Sequence, residues 1–303
     1  MNSVYNKGVT RLMLALCMMG MSLPACTSDD ALSGDNESPK AVKVAISTRA
    51  AETNPWTAND VITLQAYAGE TTQSASYTFD GTSTWSTEAG LYWSSYKETL
   101  DFLGYYPSTT EGLAFTLPTD QSDATKLHAA DYMTTDRIYG ESNIDANGTE
   151  VNFPFNHRMV KIVMNVTYGA EYDGNLPTLS AESILSQGSG VTVTVNTADG
   201  STPTAVTKTG DAVLVQPLIG TNTEGKPCYT ALVTPGILTK GSTILMILAV
   251  NGEMRQATYN GDLTQLESGK AYSFNVKIGE DIITITDGIE NPWGSGWGSD
   301  TEL

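Results

Sequence analysis

Val160-Lys161-Ile162-Val163-Met164-Asn165-Val166 puts an apolar side chain at every second position, Val160, Ile162, Met164 and Val166. A period of two sends successive side chains to opposite faces of a strand, whereas a helix would space its apolar residues three and four apart. The stretch therefore predicts a β-strand with one face on a core. Outward from it, the same alternation recurs at Val42-Val44-Ile46, Ile62-Leu64-Ala66 and Tyr272-Phe274-Val276-Ile278. Residues 100–106 and 244–250 are denser apolar runs, which predict central strands covered on both faces. Turn pairs punctuate these runs: Asp80-Gly81, Asp173-Gly174, Asp199-Gly200 and Asn251-Gly252. The last separates two strand-like runs by two residues and predicts a tight hairpin. No long amphipathic helix is present; residues 263–267, stopped by Gly269, offer at most one short helical turn. Many short strands divided by polar turns predict an all-β chain of sandwich or barrel type. No repeat occurs at solenoid or propeller periods.

The first residues follow a different logic. Lys7 and Arg11 lead into an uncharged apolar run, residues 12–23. That run is shorter than the roughly 20 residues a helix needs to cross a bilayer, and it has the length of a signal-peptide core. Leu23-Pro24-Ala25-Cys26 then resembles the bacterial lipobox, so cleavage between Ala25 and Cys26, with lipid on Cys26, is expected. A general secretory signal with an incidental cysteine is the plainer alternative. Residues 27–40 hold little to bury and read as a tether. Within them Ser28-Asp29-Asp30 resembles the acidic signals that send Bacteroidetes lipoproteins to the outer face of the outer membrane, or is simply a solvated linker. Cys17 would leave with the signal, which leaves Cys228 as one thiol without an internal partner. In its strand-like run it reads as a small buried hydrophobe. The mature length suits two sandwiches, with the boundary in the polar stretch 140–148. The expected division is signal 1–25, tether 26–40, N-terminal β-sandwich 41–148 and C-terminal β-sandwich 149–303.

Charge and motifs narrow the function. The formal charge of −18 becomes −20 once Lys7 and Arg11 are removed with the signal. An acidic chain without a basic cluster is a poor partner for nucleic acid or for an anionic membrane surface. The two histidines, His128 and His157, stand far apart with no metal-ligand spacing; His157 reads as a packed or hydrogen-bonded strand-end residue. There is no Gly-x-Ser-x-Gly elbow, His-Glu-x-x-His helix or Walker loop, and Gly294-Ser295-Gly296 precedes no helix. Asn143-x-Asp145-x-Asn147-Gly148 departs from a calcium loop at its first ligand, and Pro154 stands where the bidentate glutamate belongs. No catalytic residue, metal or cofactor is expected. Trp56, Trp85, Trp93 and neighbouring tyrosines form either a sugar-stacking platform or core packing.

The order of motifs carries more than any one of them. Arg49 and Ala50 follow the first strand; then come Trp56 with Asn59-Asp60-Val61-Ile62, Tyr92-Trp93, and Leu100-Asp101-Phe102-Leu103-Gly104-Tyr105-Tyr106-Pro107. Asp131-Tyr132-Met133, Phe155-Asn156-His157-Arg158-Met159-Val160 and Leu266-Glu267-Ser268-Gly269-Lys270-Ala271-Tyr272 complete the series. In this order the chain resembles the fimbrillin-like (Mfa-like) family of Bacteroidetes lipoproteins, the subunits of type V pili. The resemblance implies two transthyretin-like β-sandwiches and a structural role in a surface fimbria. It implies export as an outer-membrane lipoprotein, a protease cut after an arginine, loss of the first strand, and filling of the groove by a neighbouring subunit. By that match the cut falls between Arg49 and Ala50, and the displaced strand carries Val42, Val44 and Ile46. Arg49 is equally read as an arginine in a polar loop. Residues 281–286, with Ile283 and Ile285, are either the donor strand or the strand that closes the second sandwich. Little chain follows Trp297, so tip and accessory roles stand beside a stalk role. The implied partners are other fimbrial subunits, outer-membrane lipid through Cys26 before processing, and a host or bacterial surface ligand. A surface glycan-binding lipoprotein is the alternative reading.

Overall fold

The structure is a computed structural model that describes residues 40–48, 56–68, 71–94, 98–109, 113–141, 150–197, 201–291 and 293. Strands of six residues or more are labelled in chain order: β1 Lys43–Thr48, β2 Val61–Ala68, β3 Thr71–Phe79, β4 Thr99–Tyr106, β5 Glu150–His157 and β6 Val160–Tyr168. They continue as β7 Leu179–Ser186, β8 Pro227–Val233, β9 Ile244–Val250, β10 Glu253–Tyr259, β11 Ala271–Ile278 and β12 Ile283–Asn291. The described elements are nearly all β, as the alternating pattern predicts, and two large curled sheets dominate, with three smaller pairings of two or three strands beside them.

The first sheet has eight strands and runs β1, β5, Met133–Thr134, β4, β2, β3, Trp85–Ser86, with Ile138–Glu141 also paired to β4. Its inward side chains build a core rich in rings, including Trp56, Trp93, Phe102, Phe153 and Phe155. Gly104 in β4 is required by this packing: a Cβ there would lie 2.8 Å from the Phe155 ring.

The second sheet has nine strands, in the order Val213–Val215, β7, β9, β10, β12, β11, β6, β8, Leu218–Thr221. Its two end strands are consecutive in sequence, separated only by Gln216 and Pro217. Two residues span a few ångströms, so the sheet must curl until its edges nearly meet. The corner is tied to the segment before it, where Gln216 N–H donates to Thr119 O (2.7 Å) and Gln121 N–H donates to Gln216 O (2.9 Å). The Asn251-Gly252 pair makes the tight hairpin between β9 and β10, with Val250 opposite Glu253 and both turn residues at positive φ.

Three local expectations change. β6 is buried along both faces from Val160 to Val166 rather than on one, because it lies centrally, between β11 and β8, and Lys161 reaches across to Trp293. Residues 263–267 hold the two-residue strand Gln265–Leu266 in place of a helical turn. The described α-helix is Ala124–Ala129, capped by Asp123, whose side chain accepts from Lys126 N–H (2.9 Å). The change of sheet falls at Arg158, between β5 and β6, beyond the expected boundary at 148/149. Val151, Phe153 and Phe155 of β5 alternate into the first core, which commits that strand to the first sheet. Conversely Ala114–Thr116 pairs with Gly190–Thr194, well inside the second half. The stretch 142–149, with the calcium-loop residues, lies outside the described residues.

Candidate functional site

The N-terminal strand is the candidate site because it uses two sheets in nine residues. Lys40–Ala41 pairs antiparallel with Tyr92–Trp93, and Val42 N–H donates to Leu91 O (2.9 Å). The chain then crosses to β5 and runs parallel to it, Lys43 opposite Glu150 through Thr48 opposite Phe155. β-branched Val44 and Ile46 suit this extended run. Val42 is buried, and Val44 and Ile46 are half-buried against the first core. The structure thus brings together the three residues of the candidate displaced strand on one inward row. β1 stands at the end of the sheet order with β5 as its neighbour among the described residues. A single parallel ladder holds it, with Ser47 Oγ donating to Asn152 Oδ1 (3.1 Å) at the rim.

Ala25, Cys26, Arg49 and Ala50 lie outside the described residues. Ile283 and Ile285 belong to β12, which is flanked by β10 and β11. Both are buried in the second core, so in this fold the segment closes the second sandwich. It does not lie beside β1.

Downstream of β1, Trp56 is seated edge-on against Trp85, Tyr106 and Phe155, with ring centroids 5.1, 5.5 and 5.4 Å apart. Trp93 packs edge-on against Phe102 and is 3% exposed. Trp56 and Trp93 belong to the core and Trp85 packs half-buried against it, edge-on to Trp56, so the three do not form a coplanar platform for a sugar.

Sequence separation hid one cluster entirely. His128 on the short helix meets Asp60, 68 residues earlier, with Nε2 2.9 Å from both carboxylate oxygens. The Tyr106 hydroxyl donates to Asp60 Oδ1 (3.1 Å), and Thr57 N–H donates to Asp60 Oδ2 (2.8 Å). Burial opposes the charge on His128, but the hydrogen bond and charge of Asp60, with Asp131 adding, outweigh it and raise the His128 pKa. Burial, followed by the charges of Asp60 and Asp131, drives the Tyr106 pKa far above its ordinary value. Thr57 Oγ1 also lies 3.2 Å from His128 Nε2. A hydroxyl–imidazole–carboxylate relay needs both ring nitrogens, one for each partner. Here hydroxyl and carboxylate share one nitrogen, which suits a structural clamp.

His157 makes the second pair, its Nδ1 2.8 Å from Asp131 Oδ2, with the Trp293 ring stacked on it at 4.1 Å. This is the packed strand-end histidine the sequence suggests. Cys228 is buried, and burial raises its thiol pKa, which makes it a poor nucleophile. Among the described residues no group of three His, Cys, Asp or Glu side chains could hold a metal.

A family model described as fimbrillin-like matches residues 48–293. Among solved structures, a candidate cell adhesion protein from Bacteroides uniformis superposes with a TM-score of 0.56 at 21% identity, over 84% of this chain and 98% of that one. A candidate cell adhesion protein from Bacteroides ovatus does so with a TM-score of 0.56 at 16% identity, over 86% and 99%. No curated protein sequence matches the chain.

Proposed function

The chain belongs to the fimbrillin-like family, and from that premise we propose that it is exported as a lipoprotein on Cys26 and assembled by exchange of its first strand. Family membership makes it a fimbrial or adhesive subunit of the cell surface, structural rather than catalytic, that associates with other fimbrial subunits. The finer reading is that the subunit arrives at the outer membrane on its lipid. A cut after Arg49 then frees residues 41–48, and a strand from a neighbouring subunit takes their place between the Tyr92–Trp93 edge and β5. Two sandwiches, divided at Arg158, would form the body of the subunit.

The observation that carries this reading is the mounting of β1. β1 itself is held by one ladder, after the short Lys40–Ala41 pairing with Tyr92–Trp93; the Val42, Val44 and Ile46 row faces the first core, and Arg49 follows at once. Burying one valine fully and two branched side chains by half is worth about 4 kcal/mol. Any extended segment with apolar residues at alternate positions would recover that burial and the ladder, which is the physics of strand addition. The glycan-binding alternative loses the tryptophans from the aromatic platform on which it rested.

Two measurements test the reading. Native protein treated briefly with trypsin should acquire Ala50 as its N-terminal residue while the body stays folded; a folded body still joined to residues 41–49 after prolonged treatment would sink the cleavage step. Protein recovered from cell-surface fimbriae should begin at Ala50 and carry no lipid. Recovery with acylated Cys26 intact would make it a stationary anchor.

A further inference from the structure

Where β10 and β12 part, the outer face of the second sheet holds a cleft of about 540 Å³, within the size range of small-ligand sites. The alternation that buries Ala257, Tyr259, Ile283 and Ile285 turns their neighbours outward. Gln256, Thr258 and Asn260 therefore form one row on β10, beside Ile282 and Thr284 on the adjoining segment. Thr258 stands opposite Thr284 in the parallel ladder, so the two rows are in register.

The walls are braced before any ligand arrives. On one side the turn before β12 is closed by Gly279 N–H donating to Ile282 O (2.9 Å). The Arg255 guanidinium holds it through Gly279 O (3.3 Å) and Glu280 O, while Glu280 N–H donates to Glu171 Oε1 (2.8 Å). On the other side Gly241 N–H donates to Tyr259 O (2.8 Å). A braced cleft loses little order on binding.

The geometry points to this cleft as a binding site for a neutral saccharide unit. The amides of Gln256 and Asn260 each offer a donor and an acceptor, which vicinal hydroxyls match, and the two threonine hydroxyls add to them. Ile282, 68% exposed at the rim, offers an aliphatic surface to the C–H face of a sugar ring. An anion is disfavoured: Asp281 lines the cleft, and Arg255 is already engaged by two carbonyls and by Glu253 Oε2 (3.2 Å). The inference is independent of strand exchange, since β10 and β12 lie in the second sheet.

The test is a nuclear magnetic resonance titration of the full chain, isotope-labelled at backbone and side-chain amides and at isoleucine methyls. The probes are the methyl glycosides of glucose, galactose, mannose, xylose and N-acetylglucosamine, with cellobiose, maltose, glucuronate and inorganic phosphate. At least one neutral probe should saturably shift the Gln256 and Asn260 side-chain amides and the Ile282 methyl. The doubly substituted Q256A/N260A chain, altered only at exposed side chains, should bind that probe about tenfold more weakly, the loss expected of two neutral hydrogen bonds. The inference is overturned if no neutral sugar moves those signals up to its solubility limit. Equal binding by the double variant overturns it too, as does stronger binding of glucuronate or phosphate.

Discussion

Gln121 is fully buried, and its side chain does the work of a neighbouring strand. Its Oε1 accepts from Leu232 N–H (2.7 Å), and its Nε2 donates to Leu232 O (2.9 Å) and Pro118 O (3.0 Å). Gln121→Ala would leave the Leu232 N–H and C=O without these partners in a dry interior, at about 1–3 kcal/mol for each lost group. We expect a clear fall in the urea midpoint. Gln121→Glu should be at least as damaging, because a carboxylate cannot donate to the two carbonyls. A midpoint unchanged in both variants would contradict this account. His128 predicts a pH dependence of definite sign. Burial and, more weakly, the nearby His157 oppose its charge, but Asp60, with Asp131 adding, raises its folded pKa above the ordinary 6.5. Stability from the pair is then fully present below the unfolded value and is lost as pH rises through the folded one. The stability difference between the native chain and His128→Asn, measured by urea unfolding at several pH values, should shrink from about pH 6 upward. A constant difference would show that His128 contributes through packing alone.

At the scale of elements, β1 is the strand expected to open first. One parallel ladder and half-buried side chains give it little to resist local fraying, whereas β6 is paired on both sides and buried on both faces. Amide hydrogens of residues 43–48 should exchange about a hundredfold faster than those of residues 162–166, read by mass spectrometry. Replacing Val44 and Ile46 with serine should cost about 1 kcal/mol each and speed exchange in β1 while leaving the second sheet unchanged. Similar protection of both strands would remove the basis for easy displacement. The strands themselves were legible in the sequence, because period-two alternation is a local property that marked β1, β2, β6 and β11, although β6 is buried on both faces. The Asn251-Gly252 hairpin was legible for the same reason. Strand partners were not: nothing in Val44 or Ile46 specifies a parallel ladder to Val151 and Phe153, and nothing in Asp60 announces His128. The point where the chain changes sheet was not legible, because the polar stretch 140–148 marks an interruption in the sequence, whereas β5 keeps its inward row in the first core after it. The helix at residues 124–129 is too short to show a period, although Asp123 is a recognisable cap.

Across the whole molecule, the two halves are spliced and should unfold together. The second core, built mostly from residues after Met159, also takes Tyr105, Phe115, Leu117, Leu127, Ala130 and Tyr132 from the first half. Phe115 stacks flat on Tyr132, with ring centroids 4.9 Å apart. Hydrogen bonds run the same way: Asp136 Oδ1 accepts from Arg158 Nη2 (3.1 Å) and from Thr204 Oγ1 (2.9 Å), and Arg137 N–H donates to Asn196 Oδ1 (2.7 Å). Fully burying the large side chains among these contributes about 1.5–3 kcal/mol apiece. Their sum is comparable to the roughly 5–15 kcal/mol that holds a whole domain folded. A fragment beginning at Val160 would therefore lack a contribution as large as its own stability, and it should be expanded and bind hydrophobic dyes. A fragment ending at His157 would expose Phe115, Leu117, Leu127 and Tyr132 to water and should aggregate. For the intact chain, scanning calorimetry should give one transition with equal calorimetric and van't Hoff enthalpies. Two resolved transitions, or a native-like fragment from either side of Arg158, would show that the splice is only a contact. A subunit spliced in this way would pass a load borne by the first sheet into the second through the shared core residues rather than through a hinge.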